Sequence, residues 1–204
     1  MLNKKTRVAV LVSGGGTNLQ AILEAERRGE IPDGEIVLVL SNNPNAYALT
    51  RAQNFGVKAV CVPKSEYPTL SEREDAMRRV LEENGVELIV LAGYLSILSA
   101  QFTAAYAGRI INIHPSLIPS FCGSGFYGLK VHEAALSYGV KVTGATVHYV
   151  NEIPDGGQII LQKAVEIQDG DTPEILQRRV MEQAEWKLLP AATQLVCKKL
   201  KNNG

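Results

Sequence analysis

Short, almost uninterrupted apolar runs alternate along the first half of the chain with longer segments whose apolar residues recur at helical spacing. Because a strand covered on both faces is apolar throughout, five buried strands are predicted, at 7–12, 35–41, 58–62, 88–91 and 109–113. Helices are predicted between them at 18–28, 47–54, 71–84 and 95–106. Strands that alternate with helices through short connections indicate a mostly parallel sheet with right-handed crossovers.

The pattern changes in the second half of the chain. A loop rich in proline and glycine is predicted over 114–128, a short helix over 129–138, and two strands over 142–150 and 158–167. A last helix is predicted from about Asp171 to about Leu200, with Asp171 and Glu174 as a capping pair and Pro173 in its first turn. The expected fold is α/β, with a mostly parallel, Rossmann-like open sheet, helices on both faces and an antiparallel C-terminal strand, in a single domain over 1–204.

Composition narrows the classes of partner. Hydrophobic residues make up 46% of the 204 positions, and 21 Lys and Arg balance 21 Asp and Glu, so no net field would attract nucleic acid or an anionic membrane. There is no N-terminal signal region and no apolar run of bilayer length. Cys61, Cys122 and Cys197 are too far apart for a metal-binding pair, and three cysteines make no disulfide framework. We therefore expect a cytoplasmic protein without metal, nucleic-acid or membrane partners.

A glycine loop joins the first predicted strand to the first predicted helix, with the sequence Ser13-Gly14-Gly15-Gly16-Thr17-Asn18. Glycines let the backbone approach an anion closely, and the free N–H groups of a helix's first turn point at its charge. The Gly-Lys-Ser/Thr ending of triphosphate-binding loops is absent, and Leu19 stands at the third glycine of the dinucleotide fingerprint. The loop therefore favours a monophosphate, with Thr17 and Asn18 as added side-chain donors, although a plain tight turn remains the alternative.

A second group of polar residues lies where the fifth predicted strand ends. Asn112 and His114 are two positions apart, so they share a face of that strand at the edge where open parallel sheets bind ligands. An amide donor beside a side chain that titrates near neutrality suits catalysis at a carbonyl group. Asp155 lies in the tight turn Pro154-Asp155-Gly156-Gly157. A structural histidine and an ordinary Asp-Gly hairpin turn remain the alternatives.

Three segments, in this order, resemble those of formyltetrahydrofolate-dependent formyltransferases and hydrolases. Residues 13–20 resemble the substrate-phosphate loop of the phosphoribosylglycinamide formyltransferases, and residues 111–119 resemble the Asn-x-His-Pro-Ser signature of the wider group. Residues 155–162 are similar to its catalytic-aspartate loop. The resemblance extends from Arg7 to about Pro190 and implies the formyltransferase fold.

The same resemblance implies a reaction and a set of roles. A formyl group would pass from the co-substrate 10-formyltetrahydrofolate to the amine of 5'-phosphoribosylglycinamide, a step of de novo purine biosynthesis. The implied catalytic residues are Asn112, His114 and Asp155. The phosphate would be held by Gly16, Thr17 and Asn18, and Glu185 would lie on the amine side. The folate would contact Arg73, Leu95, Ser96, Ile97, Leu98 and Asn112. The partners implied are these two small molecules, with the protein a monomer or weak homodimer.

The expected mechanism is an attack of the neutral amine on the formyl carbon. Asn112 and a protonated His114 would stabilise the oxyanion, and Asp155 would mediate proton movement. The chain departs from the family pattern at Ser96, where an arginine is frequent, at Trp186, where a histidine is common, and in a longer loop at 121–128. His132 and His148 could line the site or serve the core. A related hydrolase, a formyltransferase for another amine and a nucleotide-binding module without catalysis are the alternatives.

Overall fold

The computed structural model describes residues 4–203. In chain order its elements are β1 (Thr6–Val12), α1 (Thr17–Arg27), β2 (Gly34–Ser41), α2 (Tyr47–Asn54), β3 (Lys58–Cys61), α3 (Leu70–Glu83), β4 (Leu88–Leu91), α4 (Ala100–Ala105), β5 (Ile110–His114), α5 (Leu129–Tyr138), β6 (Val142–Tyr149), β7 (Ile159–Glu166), α6 (Pro173–Val180), a π-helical turn (Met181–Glu185) and α7 (Trp186–Asn203).

Seven strands form one sheet in the order β3-β2-β1-β4-β5-β6-β7. The first five strands pair in parallel, whereas β6 runs antiparallel to both β5 and β7. The predicted α/β class and mostly parallel sheet are confirmed, and the antiparallel part is a pair of strands. The chain moves outward from β1 to β3 and then returns to place β4 on the other side of β1, so the order reverses between β1 and β4. Ligands of open α/β sheets bind at this kind of reversal, outside the carboxyl ends of the strands.

The sheet is covered on both faces, which explains the continuous apolar strands. Val8 to Val12 of β1 are fully buried, and alternate side chains enter two different cores. Val8, Val10 and Val12 pack in the core that contains α1 and α7, whereas Ala9 and Leu11 pack with α3 and α4. None of the helices between residues 4 and 203 combines the length and apolar character that crossing a bilayer requires.

Two predicted helix boundaries were wrong. The helix predicted over 95–106 is restricted to Ala100–Ala105, because Ser99 caps its N-terminus and accepts a hydrogen bond from the Phe102 N–H. The last helix begins after Thr172, whose side chain accepts from the Ile175 N–H, so Asp171 and Glu174 do not form the capping pair. Asp171 instead forms an ion pair with Arg179. Pro173 does occupy the first helical turn, as predicted.

Candidate active site

A large cavity opens at the carboxyl ends of β1, β4 and β5. Its volume is about 810 Å³, and it is lined by the glycine loop, by the segment after β4, by the end of β5, by the loop after β5 and by the π-helical turn. The side chains of Asn112, His114, Asp155 and Glu185 all border it. The structure therefore brings the glycine loop and the polar residues of β5 to one space, which their separation in sequence did not establish.

The glycine loop presents unpaired backbone N–H groups to this cavity. Gly16 is the N-cap of α1 with a φ of 74°, and a Cβ there would lie 2.6 Å from the Cβ of Ala48. A Cβ at Gly14 or Gly15 would meet no heavy atom within 4 Å, so these two glycines border open space. In residues 4–203, the N–H groups of positions 14–18 have no hydrogen-bond acceptor. Such a set of free donors at a helix N-terminus can bind an anion.

The side chain of Asn18 already has one partner in the cavity. Its Nδ2 donates to Glu185 Oε2 at 2.6 Å, which uses one of the two amide hydrogens. The backbone N–H of Asn18 remains available at the start of α1. Asn18 therefore links the anion loop to the far wall of the cavity.

Glu185 lies in the π-helical turn between α6 and α7. It is 5% exposed, and in the described part of the chain its carboxylate accepts only the bond from Asn18. Burial raises the pKa of Glu185 to about 7, and the Asn18 hydrogen bond only partly opposes that shift. A π turn inserts an extra residue into a helix and is frequent at functional sites. The turn thus places a carboxyl group that titrates near neutrality beside the anion loop.

Asn112, His114 and Asp155 form one contiguous polar cluster. Asn112 Nδ2 lies 3.4 Å from Asp155 Oδ1, and His114 Nδ1 lies 3.5 Å from Asp155 Oδ2. Asp155 has a φ of 56°, and its Oδ2 also accepts a 2.8 Å hydrogen bond from the Gly123 N–H. The structure thus brings the aspartate turn beside the end of β5, which the sequence alone did not establish. A left-handed backbone at a non-glycine residue carries a strain that functional sites often retain.

The second ring nitrogen of His114 faces a backbone carbonyl. Its Nε2 lies 2.8 Å from the Phe121 oxygen, and because a carbonyl only accepts, Nε2 must carry the proton. In the neutral ring Nδ1 is then the basic nitrogen and points towards Asp155. Burial lowers the pKa of His114 below its ordinary 6.5, although Asp155 and the Phe121 carbonyl act in the opposite direction. Burial thus favours the neutral ring, whereas the contact with Asp155 favours the protonated ring expected from the sequence.

His148 completes the cluster from the neighbouring strand β6. Its Nδ1 donates to the Tyr149 carbonyl at 2.8 Å, so Nε2 is the ring nitrogen that faces the cluster. That Nε2 lies 3.2 Å from Asn112 Nδ2 and 3.5 Å from Asp155 Oδ1. Burial alone would raise the pKa of Asp155, but His148, His114 and the Gly123 N–H outweigh it and hold the pKa below its ordinary value. Asp155 is therefore ionised at neutral pH.

The segment after β4 forms one wall of a narrower extension of the site. This cavity measures about 120 Å³ and is bordered by Ser96, Ile97, Leu98, Asn112 and the stretch 150–155. Leu95 borders the larger cavity, and Ser96 Oγ accepts a 2.7 Å hydrogen bond from Asn42 Nδ2. The residues predicted to contact a folate after β4 thus lie together beside Asn112.

Of the remaining predicted residues, Arg73 borders neither cavity, and its Nη1 donates to the carbonyls of Tyr67 and Pro68 at 3.0 Å each. His132 of α5 lines the large cavity although its side chain is fully buried, and burial lowers its pKa to about 4. The folate contact of Arg73 remains a prediction. Among residues 4–203, no three His, Cys, Asp or Glu side chains group closely enough to hold a metal ion.

The sequence profile of the family described as "Formyl transferase" matches residues 6–193, which include every element that borders the cavity. The chain belongs to the formyl transferase family.

Relatives within this family share most of the chain. Phosphoribosylglycinamide formyltransferase of Haemophilus influenzae is 41% identical over 90% of this chain and 84% of its own length. The trifunctional purine biosynthetic protein adenosine-3 of Gallus gallus is 46% identical, but the chain spans only 18% of its length.

Two solved structures share the fold as well. Glycinamide ribonucleotide transformylase 1 of Symbiobacterium toebii superposes with a TM-score of 0.89 at 42% identity, over 96% of this chain and 89% of that one. A formyltetrahydrofolate deformylase of Pseudomonas syringae has a TM-score of 0.84 at 29% identity and is covered over 62% of its chain. Of these two structures, the transformylase has the higher sequence identity to this chain.

Two features of this formyl transferase's site had little signal in the sequence. For His148 the sequence left a role in the site and a role in the core open, and its register opposite Asn112 shows that it touches the cluster. The Phe121 carbonyl and the Gly123 N–H are backbone groups, so no residue type indicates them. The loop 121–128 lies directly against the catalytic candidates through these two groups.

Proposed function

We propose that the chain transfers the formyl group of 10-formyltetrahydrofolate to the amine of 5'-phosphoribosylglycinamide, giving the N-formyl product and tetrahydrofolate in de novo purine biosynthesis. One observation carries this proposal: a monophosphate-type anion loop and an Asn-His-Asp cluster open onto the same cavity. The names of the H. influenzae and S. toebii relatives support the choice of acceptor.

The acceptor lies along the large cavity in this proposal. Its phosphate binds the free N–H groups of Gly16, Thr17 and Asn18, with the positive end of α1 behind them. Glu185 lines the same cavity and is bonded to Asn18, and the proposal places the amine of the acceptor on its side. Its carboxylate form can accept hydrogen bonds from the sugar or the amine, and because its pKa is about 7 it can also receive a proton.

The formyl donor lies along the narrower extension. Ile97, Leu98 and Val150 supply apolar walls, and the exposed backbone of 151–154 supplies hydrogen-bonding groups for a polar ring edge. Leu95 and Ser96 border its mouth, and Arg73 is the proposed contact at its outer end. This placement sets the formyl group beside Asn112, which borders both cavities.

The chemistry begins with attack of the neutral amine on the formyl carbon, which forms the C–N bond and turns the carbonyl oxygen into an oxyanion. Asn112 Nδ2 donates to that oxyanion, and its contact with His148 Nε2 orients the amide. The attacking nitrogen, now cationic, gives up a proton to the His114–Asp155 pair, directly or through water. The pair returns that proton to the folate nitrogen as its bond to carbon breaks.

The test is formyl transfer by single alanine variants of Asn112, His114 and Asp155. Removal of one oxyanion donor or one proton-transfer group reduces kcat by roughly 100- to 1000-fold in comparable sites, so losses of that order are expected. Asp169→Ala, an exposed aspartate outside the cavity, is the matched control and should retain wild-type rates. Near-normal rates in all three variants would show that this cluster does not carry the reaction.

The alternative reaction is hydrolysis of the same formyl donor. The two outcomes separate when the donor is supplied with and without the acceptor. Transfer requires phosphoribosylglycinamide and yields its formyl derivative, whereas a hydrolase releases formate at the same rate in both mixtures.

A further inference from the structure

The carbonyl groups of the glycine loop are all turned away from the cavity. Asn43 Nδ2 donates to the Ser13 oxygen at 3.2 Å, the Ala48 N–H donates to the Gly14 oxygen at 3.1 Å, and the Gln20 N–H donates to the Gly16 oxygen at 2.9 Å. The carbonyl of Gly15 is held by a side chain with a formal charge. An anion-binding loop needs this arrangement, because a carbonyl oxygen that faced the cavity would repel the ligand.

The group that holds the Gly15 carbonyl is the guanidinium of Arg51 in α2. Its Nε donates to the Gly15 oxygen at 2.8 Å, and its Nη1 donates to Gln20 Oε1 at 2.9 Å. The same guanidinium lies 5.0 Å from the centre of the Tyr47 ring. Three contacts thus fix the orientation of a side chain that does not itself border the cavity.

The charge of Arg51 is not neutralised by a neighbouring acid. Within residues 4–203, no carboxylate oxygen lies within 4.0 Å of its guanidinium. Its contacts are a backbone carbonyl, an amide oxygen and an aromatic face, all of which leave the positive charge intact. A cation directly behind the anion loop adds to the field of the α1 N-terminus at the place where a phosphate would lie.

We propose that Arg51 is a positioning residue for the phosphate of the acceptor. It holds the Gly15 carbonyl outward, so that the N–H groups of the loop face the cavity, and it supplies positive charge from behind. Its action is confined to the phosphate end, because neither Arg51 nor its partners touch the cluster of β5. The identity of the phosphorylated ligand rests on the proposed function, whereas the role of Arg51 in anion binding does not.

The experiment measures the affinity of inorganic phosphate, by a ³¹P NMR titration, for the full-length protein and three variants. Arg51→Met removes both charge and hydrogen bonds and should weaken phosphate binding roughly tenfold. Arg51→Lys keeps the charge but lacks the two-pronged geometry, so an intermediate loss is expected. Gln20→Leu removes only the Nη1 partner and should give a smaller loss in the same direction.

Arg28→Met is the matched control. It removes the same charge at the opposite end of α1, where Arg28 pairs with Glu30, and should leave phosphate affinity at the wild-type value. Steady-state kinetics then compare phosphoribosylglycinamide with its dephosphorylated nucleoside. Arg51→Met should raise KM for the phosphorylated acceptor only, with kcat and the KM of formyl-folate unchanged.

The proposal is overturned if wild-type protein shows no phosphate binding, if Arg51→Met binds phosphate like the wild type, or if both acceptors change in KM by the same factor. Should Arg51→Met fail to fold, wild-type phosphate affinity in Arg51→Lys overturns the positioning role. Phosphate binding that depends on Arg51, in a protein without formyl transfer, would reject the proposed reaction and support the role of Arg51.

Discussion

The buried carboxyl group of Glu185 makes the stability of the protein depend on pH in a direction opposite to that of an ordinary salt-bridged acid. The pKa of Glu185 is raised from 4.5 to about 7 by burial. Between these two values the folded chain keeps a proton that the unfolded chain has lost. The free energy of unfolding therefore falls as pH rises across this window and then becomes constant above it.

The magnitude follows from the size of the shift. One pKa unit corresponds to about 1.4 kcal/mol, so a shift of about 2.5 units removes about 3 kcal/mol of stability between pH 4.5 and pH 7. Glu185→Gln keeps an oxygen that can accept from Asn18 Nδ2 but has no titrating proton. Between pH 5 and pH 8, the free energy of unfolding of the wild type should therefore fall by about 2 to 3 kcal/mol more than that of the variant.

The assay is equilibrium urea unfolding of wild type and Glu185→Gln at several pH values from 5 to 8. Because other groups titrate equally in both proteins, the difference between the two pH profiles isolates Glu185. Glu182→Gln, an exposed neighbour in the same π-helical turn, should follow the wild-type profile. Parallel profiles for wild type and Glu185→Gln would refute the inference that this carboxyl group is buried and protonated.

Three further outcomes are expected. Gly16→Ala should lower the free energy of unfolding in urea by about 1 to 3 kcal/mol, because its Cβ would clash with Ala48 and its φ is positive. Gly15→Ala should keep its stability, because its Cβ meets no atom within 4 Å, and should raise the KM of the acceptor. If the neutral ring of His114 accepts the proton, kcat/KM should fall as pH drops through a pKa below 6.5; a decline only above neutrality would contradict this. Asp155→Asn should lower kcat at least 100-fold with an unchanged far-UV circular dichroism spectrum.

The strands and most helices could be predicted because burial on both faces of the sheet leaves a direct mark on the sequence. The continuous apolar run of β1 and the helical spacing of Leu19, Ile22 and Leu23 follow from packing in the two cores. The helix prediction was wrong at 95–99, because the apolar residues of this segment line the two cavities instead of forming the buried face of a helix.

The site could be predicted where residue type and strand position agree, as at Asn112 and His114. It could not be predicted where function depends on backbone groups or on register. The Phe121 carbonyl carries no residue signature, and His148 reaches Asn112 only through antiparallel pairing. The π-helical turn that holds Glu185 beside Asn18 lies inside a segment that was predicted as one continuous helix.

The most direct measurement of the proposed reaction follows an isotopically labelled formyl group. Wild-type protein is mixed with labelled 10-formyltetrahydrofolate and an equal amount of phosphoribosylglycinamide, and the labelled products are separated. We expect the label in N-formyl phosphoribosylglycinamide, in amounts equal to the tetrahydrofolate formed, and no turnover when the acceptor is omitted. Label recovered as formate at a rate independent of the acceptor would contradict the proposed transfer and identify a hydrolase.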